Sequence, residues 1–560
     1  MPAYLIVIIS WQYIIASKLK YELSFKKIIQ KKIKFIYILI IISLSLIGIY
    51  NAVKIGLSWD ELSHYKIGKA RFDFILNLLF FEKINFNQAE TATNNYPGIY
   101  DTFTYLIGWI IQKIDNIFFE KYFVEIRHLI NFFFSILGLL GLYKFCYLHF
   151  NKLIATISTI FAFINPFYFG HMSMNPKDNI IFFAFIWFLY FLSKYLFEKK
   201  NRFKNLLLLS LFLGIGCGIR ISFPAICLPV FIMSIYFIIK NYLFFDRKLH
   251  KIFIDFFLLI SVVFFLTSAT WPQVLTGGFN VLIETLINSL NWNFVPHYGL
   301  INGSLYEVNK TPKLYFFYFL TYRMPIYITI LIIFSYLIIF KEKQFANFFG
   351  KKIKVKFIIL NIVILFPIFL AIILKVNIYD NIRLFLFLVP LLCIMASLSF
   401  VYLYSNFKNS FKSKIILSLV IILFFLSITR FFILNPYQYS YVNYSFIKLK
   451  NANNKFENDY WATSFKETIN NMQKKFTKNE IQNMKITYCG GNPRALLLLL
   501  NKKYGVTNIF SPNEANYVIM TNRASFTKND KRTCFERFKG KDVILTERGG
   551  LIFSVLRKLD

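Results

Sequence analysis

Long apolar runs recur along this 560-residue chain, and they constrain its fold more than any other feature. A run of about 18–20 apolar residues crosses the roughly 30 Å hydrocarbon layer as a helix. Inside that layer every backbone N–H and C=O must find a partner within the segment, so a single run has to be helical. The chain is 57% hydrophobic and 20% aromatic, with 69 Phe. Soluble proteins hold about 45–50% apolar residues, so a soluble fold is excluded. The expected fold class is an all-α polytopic membrane bundle of about 11 spans. They are read at 35–53, 128–146, 153–171, 179–195, 206–219, 222–240, 252–271, 314–340, 357–375, 382–404 and 415–432.

The net charge of +36, from 64 basic and 28 acidic residues, has to be read by its distribution. Lys and Arg collect in alternate loops: Lys194 to Lys204, Lys240 to Lys251, Lys341 to Lys356 and Lys408 to Lys414. Cytoplasmic loops gather such residues, so these mark one face. The basic stretch 18–34 puts the start of the first span on that same face. Residues 4–16 are apolar but short and lack a signal-peptide cleavage pattern, which suits an interfacial or marginal helix. No basic–aromatic module stands outside the spans, so nucleic acid is not an expected partner.

An odd number of spans puts the C-terminus outside, together with long loops at 51–127 and 272–312. The chain then divides into an N-terminal segment 1–34, a transmembrane part 35–434 and a tail 435–560. In the tail, charges and amides dominate, and short strand-like and helix-like runs alternate, as in a small α/β domain. Four of the six Cys lie in or beside apolar runs, where Cys packs as a small hydrophobe. Cys489 and Cys534 lie in the tail and could pair in an oxidising compartment, although spacing alone does not establish the geometry.

In a chain this sparing with carboxylates, the adjacent pair Asp60-Glu61 stands out. It follows the first span in Gly56-Leu57-Ser58-Trp59-Asp60-Glu61-Leu62-Ser63-His64-Tyr65. Charged groups at the edge of the hydrocarbon layer are costly to hold and mark function more often than chance. Other polar groups fall on the same outer face. Tyr96 and Asp101 lie in Tyr96-Pro97-Gly98-Ile99-Tyr100-Asp101. His171, Asn175, Lys177 and Asp178 lie in the hairpin before the fourth span. Arg220 lies in one outer turn, and Asp380 and Arg383 in another. Arg grips phosphate oxygens through its planar fork, and a carboxylate can take a proton from an incoming hydroxyl or amine. An apolar groove between Phe-rich spans would hold a lipid tail. The bland alternative is that these charges are solvated helix ends. Asn175-Pro176-Lys177-Asp178 could simply cap the fourth span, and His64 and His171 could be structural.

These motifs resemble those of the GT-C glycosyltransferases, which include the protein O-mannosyltransferases and the lipid A aminoarabinose transferases. Trp59-Asp60-Glu61-Leu62-Ser63-His64-Tyr65 resembles the family's Asp-Glu loop. Tyr96-Pro97-Gly98-Ile99-Tyr100 is similar to its Pro-containing juxtamembrane segment, with Gly98 where many members have a second Pro. Met174-Asn175-Pro176-Lys177-Asp178 resembles the start of its Asp-led fourth span, and Asp380-Asn381-Ile382-Arg383 its Arg-containing turn. Tail segments 435–441 and 458–461 resemble the junction of bacterial members.

The resemblance implies a bacterial inner-membrane enzyme whose active site and C-terminus face outward. It implies inverting transfer of a hexose or pentose from a polyprenyl-phosphate carrier to a lipid, glycan or protein acceptor. Asp60, Glu61 and Asp178 would be the catalytic carboxylates. Arg383, Arg220, Lys177, His171, His64, Tyr96 and Asp101 would line the carrier and substrate site. Members differ in metal use, which leaves a divalent metal open, and no other cofactor is implied. Two other classes compete: a transporter or flippase of a lipid-linked sugar, and a non-catalytic envelope assembly protein. A transporter would show inverted repeats and polar groups midway along broken helices. Neither is visible, and the acids gather at one surface.

Overall fold

In the computed structural model, residues 35–80, 97–198, 200–244, 249–290, 297–341, 349–350, 352–407, 410–443, 449–524 and 528–560 are described. The expected N-terminal segment 1–34, with its short apolar run at 4–16, lies outside them, and so does Tyr96. The chain forms two compact units, Met1–Ile49 and Tyr50–Asp560. The described part of the first belongs to the helix Phe35–Lys54. Apart from that helix, all that follows concerns the second.

Each expected span after the first falls on apolar helix. Among the described residues, seven helices are long and apolar enough to cross a membrane: Phe35–Lys54, Asn116–His149, Asp178–Phe197, His250–Ala269, Ile353–Ile373, Leu388–Ser405 and Phe411–Ile433. Two runs expected as single spans are bent pairs, and counting each pair as one span brings the number to nine, below the eleven expected. Lys152–Phe163 and Pro166–Met174 meet at 69°, and Tyr315–Arg323 and Ile326–Ile339 at 119°. Both bends sit just before a proline, Pro166 or Pro325, and the residue preceding proline is pushed out of helical geometry. At the first bend Asn165 caps the new helix by accepting from the Tyr168 N–H at 3.1 Å. The two remaining runs form Arg202–Cys217, which has only 16 residues, and Phe223–Phe244, which carries Pro229 inside it.

The described parts of the long loops are structured as well. The first holds the helices Glu61–Leu79 and Ile99–Ile114, which cross so closely that a Cβ on Gly68 would run into the Asp101 carbonyl oxygen. The second begins with a helix, Pro272–Leu290, and ends in a hairpin of β1 (Tyr298–Ile301) and β2 (Ser304–Glu307).

The tail is α/β, as its alternating pattern predicts. Strands β3 (Ile486–Cys489), β4 (Tyr517–Met520), β5 (Lys541–Arg548) and β6 (Leu551–Lys558) form one sheet in the order β3-β4-β6-β5. Only β3 and β4 pair in parallel. Gly549 and Gly550, both at positive φ, close the tight β5–β6 hairpin. Phe465, Ile469, Ile486, Leu496, Leu500, Ile519 and Leu556 bury themselves between the sheet and its helices. Cys489 and Cys534 are joined in a disulfide. The tail packs on the bundle through the Gly56 N–H, which donates to the Thr463 carbonyl at 3.0 Å. Lys466 also pairs with Glu125 at 2.9 Å.

Candidate functional site

The candidate residues occupy one end of the bundle because the chain keeps returning to it. Glu61 and Asp178 each begin a helix, Arg220 follows the end of Arg202–Cys217, and Arg383 lies in the turn before Leu388–Ser405. Segments far apart in sequence are therefore brought side by side.

Asp60 precedes the helix Glu61–Leu79 at the N-cap position, yet its side chain makes no cap hydrogen bond. Its carboxylate is 36% exposed and stands 3.9 Å from Arg383 Nη1. Glu61 is placed quite differently. It is buried, accepts from the Ser58 N–H at 2.6 Å and pairs with His128 Nε2 at 2.9 Å. The other ring nitrogen of His128 faces the Ala52 carbonyl at 2.9 Å. Burial works to raise the Glu61 pKa, but His128, the Ser58 N–H and Arg127 outweigh it and hold the carboxyl below its usual value. Glu61 thus ties the Asp60 loop to the span Asn116–His149.

Asp178 is 1% exposed and divides its oxygens between two guanidiniums. Oδ1 takes Arg220 Nη2, and Oδ2 takes Arg383 Nη1 at 3.4 Å and Asn175 Nδ2 at 2.9 Å. Asn175 also accepts from the backbone N–H groups of Lys177 (3.1 Å) and Asp178 (2.8 Å), so the capping reading holds for Asn175 while Asp178 anchors the arginines. The opposite edge of Arg383, Nε and Nη2, is gripped by Asp380 Oδ2 at 3.2 Å. Its flat face lies against the rings of Tyr379 and Trp461, at 5.0 and 4.9 Å.

Beside this ion cluster a narrow cleft is lined by His64, Pro97, Gly98, Tyr100, Asp101, Pro176, Lys177, Gly218 and Ile219. His64 Nδ1 meets Asp101 Oδ2 at 2.9 Å on its wall. Burial, followed by the nearby Arg220 charge, pushes the Lys177 pKa down to about 7, despite the partial help of Asp178, Asp60 and Asp101.

Asp60, Asp178, Arg220 and Arg383 therefore form one cluster, and His64, Asp101 and Lys177 line the adjoining cleft. His171 stands directly behind the cluster, with Nδ1 3.3 Å from Asn175 Nδ2 and its ring centroid 5.6 Å from that of Trp461. It is fully buried, with Nε2 2.7 Å from the Tyr460 hydroxyl of the tail.

Several residues were not anticipated. His128 gave no signal beyond an unremarkable His at a span edge. Arg323, buried at the 119° bend, donates to the carbonyls of Ser440 (2.7 Å), Tyr441 (2.9 Å) and Glu457 (3.2 Å). An Arg within an apolar run was a readable signal for it. Trp461 and Arg523 reach in from the tail to Asp380, at 3.2 and 2.6 Å. Among the described residues no group of three or more His, Cys, Asp or Glu is placed to hold a metal ion.

Residues 104–271 match the family model for dolichyl-phosphate-mannose-protein mannosyltransferases. That stretch includes Asp178 and Arg220 and leaves Asp60 and Arg383 outside. No curated protein matches the chain in sequence. Among solved structures, ArnT from Cupriavidus metallidurans in the apo state aligns over 93% of this chain and 97% of its own, at 9% identity and a TM-score of 0.49. The oligosaccharyltransferase AglB from Archaeoglobus fulgidus aligns over 87% of this chain and 69% of its own, at 9% identity and a TM-score of 0.42. The S. cerevisiae protein O-mannosyltransferase complex Pmt1-Pmt2 aligns over 48% of this chain and 38% of its own, at 13% identity and a TM-score of 0.30.

Proposed function

We propose that this protein is a GT-C-type membrane glycosyltransferase that moves a sugar from a polyprenyl-phosphate carrier to an acceptor outside the cytoplasm. The observation that carries this reading is the pairing of an accessible carboxylate, Asp60, with a cation cluster of Arg383, Arg220 and Lys177 at one end of an apolar bundle. The order of the motifs along the chain and the family match over 104–271 support it.

In this reading the carrier phosphate enters beside Lys177 and Arg220 and takes the Nη1 edge of Arg383, whose contact with Asp60 is the loosest of its ion pairs. An acceptor oxygen or nitrogen attacks the anomeric carbon from the face opposite the phosphate, and its proton passes to Asp60. The bond between the anomeric carbon and the phosphate oxygen breaks, and the phosphate leaves with the electron pair. The three cations stabilise that charge where water is scarce. Asp178 keeps two arginines together and in place. Glu61 holds the Asp60 loop. Phe-rich helix faces bed the polyprenyl tail. In this reading the site and the tail face the extracytoplasmic side of a bacterial inner membrane, an orientation that the alternating basic loops support.

A transporter would place its ion cluster midway along the spans, whereas Asp60, Asp178, Arg220 and Arg383 sit where helices begin or end. The test is a transfer assay with purified protein in lipid nanodiscs and a panel of polyprenyl-phosphate-linked hexoses and pentoses. Release of carrier phosphate with sugar appearing on an acceptor supports the reading. Leaflet-to-leaflet movement of an intact lipid-linked sugar, without transfer, would replace it with the transporter.

A further inference from the structure

We propose that Arg523, supplied by the C-terminal domain, is a positioning residue for the donor: it holds the turn that aims Arg383 at the carrier phosphate. This rests on the assignment of Arg383 to that phosphate. The turn needs holding. Asp380 and Asn381 are non-glycine residues at φ values of 55° and 61°, a left-handed geometry that L residues adopt at an energetic cost. Asp380 Oδ2 fixes the Nε/Nη2 edge of Arg383, which leaves Nη1 turned toward Asp60 and Asp178. Arg523 Nη2 holds the other oxygen of Asp380, Oδ1, at 2.6 Å. Its guanidinium also lies over the ring of Trp59, 5.0 Å from the centroid, directly before Asp60 in the chain. A single tail side chain thus touches both halves of the site, the Asp60 loop and the Arg383 turn.

The tail is built to keep Arg523 there. It lies just past β4, in Thr521-Asn522-Arg523. Asn522 Nδ2 donates to the carbonyls of Asn453 (2.6 Å) and Phe456 (2.7 Å), and the Arg523 carbonyl accepts from the Cys534 N–H at 2.9 Å. Cys534 is tied to Cys489 by the disulfide. Asp380 and Arg523 are both 3% exposed, so removing the arginine leaves a carboxylate in the interior with less compensation. A ligand-binding group whose support is loosened loses its preorganisation.

The experiment uses the full-length protein in nanodiscs. It measures equilibrium binding of undecaprenyl phosphate, and transfer kinetics at varied donor and varied acceptor. Arg523→Ala is expected to weaken carrier binding about tenfold and to raise the donor KM with the acceptor KM unchanged. Arg523→Lys, which keeps the charge but loses the flat stack on Trp59, should fall between. Adding Asp380→Asn to Arg523→Ala should bring little further loss, because the two act as one unit. Lys466→Ala breaks a different contact between tail and bundle, the pair with Glu125, and should leave carrier affinity within about twofold. If both Arg523 variants bind the carrier as the wild type does, the proposal falls. If Arg523→Ala does not fold, Arg523→Lys decides alone: wild-type affinity overturns the proposal and a several-fold loss supports it. A wild-type protein that binds no carrier overturns the functional reading itself, and this proposal with it.

Discussion

Replacing Asp60 by Asn separates catalysis from stability more cleanly than any other change at this site. The carboxylate is more than a third exposed, and its ion contact with Arg383 is long, at 3.9 Å. A pair of that exposure contributes no more than about 1 kcal/mol. The side chain caps nothing, and Asn has nearly the same shape, so folding should lose less than about 1 kcal/mol. Carrier binding should hold or tighten, since the phosphate no longer shares Arg383 with a neighbouring anion. Turnover is another matter. A positioned general base is worth about 10²–10⁴-fold, which is roughly 3–5 kcal/mol at 1.36 kcal/mol per tenfold. The assay is turnover at saturating donor and acceptor, alongside thermal unfolding and undecaprenyl phosphate binding on the same preparation. The expected result is a drop of at least about two orders of magnitude with melting and binding nearly unchanged. Turnover within about threefold of wild type, with the protein folded and binding carrier, would refute the assignment of Asp60 as the base.

Glu61→Ala should act on stability first, at about 3–5 kcal/mol, because it strands His128 in the interior, while Glu61→Gln keeps an acceptor for the Ser58 N–H and should be milder; melting curves of the purified variants check this. The Glu61 carboxyl is held below its usual value in the folded chain, so its contribution is present above the unfolded value of about 4.3 and is lost as pH falls through the lower folded value; wild type should lose more melting temperature than Glu61→Gln below about pH 4. Lys177 has a pKa near 7 before the ligand arrives, and a bound phosphate raises it, so carrier affinity should fall as pH rises from 7 toward 9, by at most about tenfold per unit. Lys177→Met should flatten that profile, and a wild-type-like slope in the variant would show that another group titrates. A cysteine introduced at the exposed Asn513 should react with an impermeant thiol reagent added to intact cells; reaction only after lysis would reverse the proposed orientation.

What the sequence determined by itself is what local free energy decides. Transfer of an apolar run into hydrocarbon is a property of the run, so the bundle was legible without any contact being known, and the alternating tail pattern announced an α/β domain for the same reason. The local signals also included both bends. Asn165-Pro166 and Met324-Pro325 were readable stops inside runs taken as single spans, but continuous hydropathy outweighed them, while the difference between eleven and nine lies in the two runs that form Arg202–Cys217 and Phe223–Phe244. Apart from Tyr96, which lies outside the described residues, the candidate residues were legible as a set at one end of the bundle, because the order of motifs and spans sends them there.

What only the tertiary structure decided is which charge meets which. Asp60 and Glu61 are neighbours of one chemical type, yet one is more than a third exposed and the other is sealed against His128, 67 residues away. Asp178 read as a catalytic carboxylate or part of a helix cap and is held between Arg220 and Arg383, 205 residues on in the latter case. Arg523 reaches Asp380 across 143 residues. Such pairings depend on how helix ends and the tail sheet pack. Inside a protein a displacement of a few ångströms converts a costly lone charge into a satisfied pair, and no window of sequence contains both partners.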